Sequence, residues 1–199
     1  MNYLAHLHLG GTRPGELLGS LYGDFVKGIL QGRWPTDIEA GIRLHRQIDA
    51  YTDSHPLVLQ AKQRFPSERR RYAGILVDLF FDHCLAARWH DYADEPLPVF
   101  TARVYQVLRD EAALPPKLAL IAPRMAAQDW LGSYRHFEVM EQVVAGMSRR
   151  LSRPEGLAGG VAELERLYAP LQQDFSEFYP QLQAFARRHA VDPRRADQT

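Results

Sequence analysis

Hydrophobic positions along this chain recur with the three- and four-residue spacing of helix faces that pack against a core. Over residues 16–29 they are Leu17, Leu18, Leu21, Phe25 and Ile29, and Ser20, Asp24 and Gly28 fall on the Leu17–Leu21 side. Asp24 is therefore expected to face inward among small residues, where another backbone or a ligand can come close. The break Gln31-Gly32-Arg33-Trp34-Pro35 ends this helix, and Thr36 or Asp37 can cap the next, over residues 38–52. Its inward face reads Ile38, Ile42, His45, Asp49 and Thr52, which sets a His–Asp pair one turn apart inside an apolar stripe. Further helical patterns cover 57–65, 75–89, 99–111, 126–150 and 161–188, the last interrupted at Pro170 and Pro180. Apolar alternation occurs only at residues 4–9, too short to outweigh the helical pattern. The expectation is an all-α bundle of about seven to nine helices. It forms one domain over residues 1–190, with a frayed tail at 191–199.

The segment 75–89 departs from the amphipathic pattern. Leu76, Val77, Leu79, Phe80, Phe81 and Leu85 spread around nearly its whole circumference, as in a helix buried at the centre of a protein. Yet it also carries Asp78 and Asp82, one turn apart, with His83 adjacent. Two carboxylates in an apolar setting stay ionised only when paired or bound to a cation. For a single buried Asp the ordinary role is to cap a backbone group or meet an Arg. For Asp, Asp and His together, a metal site is the reading taken here.

Composition narrows the setting. At 199 residues, 46% hydrophobic and 24% charged, the chain has the profile of a globular protein with a real core. Lys plus Arg and Asp plus Glu number 24 each, which argues against wholesale nucleic-acid binding. Cys84 is the only cysteine, and residues 1–9 lack the basic and apolar regions of a signal peptide. No apolar run reaches the ~18 residues a membrane span requires. A cytoplasmic protein without membrane or nucleic-acid partners is expected.

The chemical candidates are then Asp24, His45, Asp49, Asp78, Asp82 and His83, with His6 an outlier. Asp24, His45, Asp78, Asp82 and His83 are expected as metal ligands, and Asp24, His45, Asp49 and His83 as groups acting in catalysis. Imidazole with carboxylate suits Mn²⁺, Fe²⁺ or Zn²⁺, and the absence of thiolates argues against a structural zinc. Such a site suits phosphoester hydrolysis. No nucleophile elbow, Walker loop, dinucleotide fingerprint or paired CxxC motif is present.

Four blocks carry a family resemblance. They are Met1-Asn2-Tyr3-Leu4-Ala5-His6-Leu7-His8-Leu9; Leu18-Gly19-Ser20-Leu21-Tyr22-Gly23-Asp24-Phe25-Val26-Lys27-Gly28; Gly41-Ile42-Arg43-Leu44-His45-Arg46-Gln47-Ile48-Asp49 with Thr52-Asp53; and Asp78-Leu79-Phe80-Phe81-Asp82-His83 with Trp89. In this order they resemble the bacterial acyl carrier protein phosphodiesterases, and the likeness extends through Gly146-Met147-Ser148-Arg149-Arg150 to the aromatic C-terminal helices. The resemblance implies an all-α, HD-domain-like phosphohydrolase that depends on a divalent metal, manganese for preference. It also implies hydrolysis of the phosphodiester between 4′-phosphopantetheine and a serine of the carrier protein. The adjacent His-Asp of the wider HD pattern stands here in reverse order, as Asp82-His83. Carrier proteins are acidic, so Arg69, Arg70 and Arg71 in one cluster, and Arg149, Arg150 and Arg153 in another, are expected to meet the partner. Two other readings stay open: a metal-dependent phosphohydrolase of small nucleotides or phosphoesters, and a non-catalytic helical interaction protein.

Overall fold

The computed structural model describes residues 1–148, 157 and 159–190, so Arg149, Arg150, Arg153 and the expected tail at 191–199 lie outside the described residues. The all-α expectation holds: among the described residues there is no strand. The helices are α1 (Tyr3–Gly10), α2 (Pro14–Phe25), α3 (Thr36–Ser54), α4 (Pro56–Gln63), α5 (Arg70–Ala87), α6 (Leu97–Asp110), α7 (Pro116–Ala127), α8 (Trp130–Ser133), α9 (Met140–Ser148), α10 (Gly160–Arg166) and α11 (Tyr168–His189). None is long and apolar enough to cross a membrane.

That is more helices than the hydrophobic pattern suggested, for local reasons. The segment 126–150 does not run as one helix. Asp129 takes a left-handed conformation (φ 43°), and its side chain accepts a hydrogen bond from the Gly132 N–H to start α8 afresh. Tyr105 of α6 adds a tertiary tie, its hydroxyl accepting from the Leu131 N–H at 2.8 Å. Pro180, by contrast, lies within a continuous α11, and the break near Pro170 falls at Leu167, between α10 and α11. Helix α3 begins at Thr36, two residues before the anticipated start at Ile38, with Pro35 rather than Thr36 or Asp37 at the N-cap position.

Helix α5 is the centre of the bundle. Residues 79–86 are buried without interruption, and Phe81 meets Phe175 and Phe178 of α11 with ring centroids 5.4 and 5.8 Å apart. Truncating such a ring to Ala would cost about 3–5 kcal/mol. Helices α2 and α3 pack most extensively, and Gly19 and Gly41 make this possible. A Cβ at Gly19 would fall 2.5 Å from the Ile38 carbonyl oxygen and 2.7 Å from Gly41 Cα, so only glycine lets the two backbones meet here.

Helix α1 has eight residues, too few to persist alone in water. It survives because Leu4, Ala5 and Leu7 are fully buried, and it touches α2, α3, α5 and α11. The contacts that hold α1 also put one of its histidines against α3.

Candidate functional site

Helices α1, α2 and α3 bring His6, Asp24, His45 and Asp49 together. His45 is buried against α2, where a Cβ on Gly23 would lie 2.2 Å from its Cγ, so glycine there makes room for the ring. The ring's Nδ1 sits 2.7 Å from the Ser20 carbonyl oxygen. A carbonyl can only accept, so Nδ1 carries the hydrogen and Nε2 of the neutral ring presents a lone pair. That lone pair points at acceptors: Asp49 Oδ2 at 3.2 Å and Asp24 Oδ1 at 4.0 Å.

The His6 ring stacks on His45 with centroids 3.7 Å apart and planes 15° from parallel. Its Nε2 lies 3.0 Å from Asp49 Oδ1, yet neither ring nitrogen makes a hydrogen bond of good geometry, although both are buried. Burial lowers the His6 pKa to about 3 against the pull of Asp49, so this ring is neutral near pH 7. One ligand atom from each of His6, His45 and Asp49 lies within 4.8 Å of the other two.

Asp49 touches both imidazoles and lies near the Met1 ammonium. Partial burial would raise its pKa, but a proton or other cation shared with the His45 and His6 imidazoles, together with the α-ammonium of Met1, outweighs this and holds the carboxylate well below its usual range. Asp24 shifts the other way, raised by burial against the pull of His45 and Lys27. Asp24 and Asp49 remain 43% and 42% exposed at their side chains, so the cluster opens to solvent on their side. The Met1 ammonium lies 3.2 Å from Asp78 Oδ1 and 3.7 Å from Asp49 Oδ1, which joins Asp78 to the cluster's edge through a cation. Burial raises the Asp78 pKa, with that ammonium opposing.

Asp82 and His83, also expected as ligands, are placed apart from this cluster. Asp82 is fully buried, and its two oxygens accept from the Leu4 N–H at 2.8 Å and the Ala5 N–H at 3.1 Å. It caps the first turn of α1, satisfying donors that a helix N-terminus leaves orphaned. Burial pushes its pKa up to about 7 despite those two N–H groups and the Met1 ammonium. His83 lies 2.7 Å through Nδ1 from the Tyr134 carbonyl oxygen, to which it donates, and accepts at Nε2 from the Tyr168 hydroxyl at 2.8 Å. Phe80, Phe137 and Tyr168 surround its ring. Both of its nitrogens are already occupied.

His6, an outlier in the sequence, is thus central. The signal for it was indirect: an isolated imidazole between fully buried Leu4, Ala5 and Leu7 needs a polar counterpart across the core. His8 went unassigned. It accepts at Nδ1 from the Tyr179 hydroxyl at 2.7 Å and donates at Nε2 to the Tyr92 carbonyl oxygen at 3.1 Å, fastening α1 to α11 and to the turn after α5. Of the basic residues, Arg64 is engaged internally, forking onto buried Asp174 at 2.7 and 2.9 Å. Arg70 and Arg71 are exposed at the start of α5, and Arg69 lies against Gly159.

The family model described as acyl carrier protein phosphodiesterase matches residues 1–182. A protein of Escherichia coli O157:H7 named acyl carrier protein phosphodiesterase is 37% identical over 196 residues, covering 96% of this chain and 100% of the relative. Proteins of the same name from Serratia proteamaculans (38% over 191 residues, 94% of this chain and 98% of the relative) and Photorhabdus laumondii (36% over 186 residues, 90% and 92%) are similarly close. No solved structure matches the chain. With a match that takes in all four helices bearing these residues, the chain belongs to the acyl carrier protein phosphodiesterase family.

Proposed function

We propose that this chain hydrolyses the phosphodiester joining 4′-phosphopantetheine to a serine of holo-acyl carrier protein, using a divalent metal, manganese for preference. Water adds to phosphorus and the bond from phosphorus to the serine oxygen breaks. The serine oxygen takes up a proton, leaving apo-carrier and free 4′-phosphopantetheine.

The observation that supports a metal is the orientation of His45. With one proton committed to the Ser20 carbonyl, its Nε2 faces two carboxylates, an arrangement that repels unless a proton or a metal cation lies between them. A hydrogen bond from the far ring nitrogen to a carbonyl is also how metal-binding imidazoles are commonly oriented. His6 adds a buried ring whose nitrogens lack hydrogen-bond partners. The donor set fits: His6, His45 and Asp49 would hold the ion, with Asp24 beside them. When bound, the ion would supply charge neutralisation for the phosphate oxygens and acidify water. Asp24, at the solvent-facing side with a carboxyl raised by burial, would hold or move the proton of the attacking water at its Oδ atoms. Asp49 keeps both imidazoles oriented.

The test is to incubate holo-carrier protein with the chain and Mn²⁺ and follow the carrier by intact mass. Loss of the prosthetic group, abolished by chelation and restored by Mn²⁺, is the expected result. Turnover unaffected by chelation would remove the metal. An unchanged carrier mass, alongside hydrolysis of a small phosphodiester, would make the chain a small-molecule phosphohydrolase.

A further inference from the structure

We propose that the loop between α2 and α3, residues 26–35, is the surface on which the protein substrate docks, and that it recognises an acidic protein surface with an apolar spot. This rests on the carrier-protein reading above.

Position is the first reason. The loop starts two residues after Asp24, and Lys27 lies near enough to Asp24 for its charge to act on that carboxyl. It ends at α3, the helix that carries His45 and Asp49. A partner seated on this loop would rest beside the open side of the cluster.

Ile29 supplies the second. Its 85% exposure is the highest of any large hydrophobic among the described residues. The loop's ends are tied down: Arg46 of α3 donates to the Val26 carbonyl at 2.9 Å, and Trp34 sets its ring edge-on to buried Tyr22 at 4.9 Å between centroids. Phe25, just before the loop, stacks on Tyr3. Anchored on both sides, the chain nonetheless holds Ile29 out into water. A lone exposed apolar side chain on a fixed rim suits a contact that another protein completes.

Charge is the third. Lys27 and Arg33 flank Ile29, both exposed, and residues 26–35 contain no carboxylate. The loop is therefore uniformly cationic around its apolar point, although the chain as a whole has no net charge. Complementary charge of this kind steers encounter and selects an acidic partner. Arg70 and Arg71, also exposed and expected from the sequence to meet the partner, are the rival surface: they offer equal charge without a protruding apolar residue, and the test sets the loop against them.

The experiment titrates fluorescently labelled apo-acyl carrier protein with the protein and reads anisotropy, so that no turnover is needed. Four proteins are compared: wild type, Ile29→Asp, the double variant Lys27→Glu/Arg33→Glu, and the charge-matched double variant Arg70→Glu/Arg71→Glu. Melting temperatures confirm that each is folded. Expected are a Kd raised about tenfold or more in both loop variants and changed less than about twofold in the α5 variant. Wild-type binding should also weaken as salt rises from about 50 to about 300 mM. Unchanged Kd in the loop variants, or an equal loss in the α5 variant, would overturn the loop as the docking surface. So would self-association of the wild type through Ile29, seen as a dimer on size exclusion that the Ile29→Asp change abolishes. The mass assay on holo-carrier keeps the two readings apart. Cleavage by wild type together with normal carrier binding by the loop variants removes only the loop, and an intact holo-carrier removes the substrate itself.

Discussion

Helices α3 and α5 each carry an aspartate and a histidine inside an apolar surface, and the two pairs have opposite fates. On α5, every polar atom of Asp82 and His83 meets a group of complementary sense: carboxylate oxygens face N–H donors, one ring nitrogen faces a carbonyl and the other a hydroxyl. On α3, the free nitrogen of His45 faces carboxylates, and stacked His6 has no hydrogen-bond partner. A complementary set stabilises the fold as it stands. A set of acceptors turned toward one another costs stability unless a proton or a metal cation joins it, so this set, and not the one on α5, is the candidate for chemistry. Residue type did not separate the pairs; the sense of each contact did.

The widest test of that contrast is activity. His45→Ala, Asp49→Ala and His6→Ala should each lower kcat/KM by about a thousandfold or more while far-UV circular dichroism stays unchanged, and the His6/His45 double variant should be little worse than either single change. His83→Phe should retain wild-type kcat/KM within a fewfold once the folded fraction is counted. Equal losses for His83 and His45 would erase the distinction.

Stability should show the reverse order. Asp82→Ala leaves the Leu4 and Ala5 N–H groups buried without acceptors, at a cost of about 3 kcal/mol. In a chain of this size that is roughly 6–12 °C in Tm. The same residue gives a pH signature. Burial keeps its carboxyl protonated up to about pH 7 in the folded chain, whereas the unfolded chain gives up that proton near pH ~4. Between those values the folded state holds the extra proton. Wild type should therefore lose stability relative to Asp82→Asn as pH rises from about 4 to about 7. Parallel Tm-versus-pH curves for the two proteins would refute this.

Metal removal comes next in size. Mn²⁺ at a hundred times its Kd should stabilise the chain by about 2.7 kcal/mol, an increment that chelator reverses. Differential scanning fluorimetry should find this response in wild type and in His83→Phe, and find it missing in Asp49→Ala. A response that persists in Asp49→Ala would place the ion elsewhere.

The smallest effect should come from the tie between α1 and α11. Tyr179→Phe removes the hydroxyl that donates to His8 and should cost about 1 kcal/mol, some 2–4 °C in Tm. A larger fall in kcat/KM than in stability would mean that this tie also sets the position of His6.

Helical class, the buried centre of α5 and the inward face of α3 were legible in the sequence, because period and apolar burial are local consequences of side-chain spacing. Residues 16–29, 38–52 and 75–89 anticipate α2, α3 and α5, with ends displaced by two to five positions. The candidate site was legible only in part. His45, Asp49 and Asp24 converge as their helix faces suggested, while Asp82 and His83, equally conspicuous in the sequence, turn to the backbone of α1 and to Tyr134 and Tyr168.

Sequence alone determined which residues are polar inside an apolar helix, and so which must find partners. Only the tertiary structure decided which partners they found. The choice lies with groups 25 to 85 residues distant, such as the Ser20 carbonyl for His45, the Leu4 amide for Asp82 and the Tyr168 hydroxyl for His83. Helix periodicity carries no information about those contacts. They follow from the Gly19–Gly41 crossing and from the docking of α1, an eight-residue helix that exists only when the rest of the bundle has formed around it.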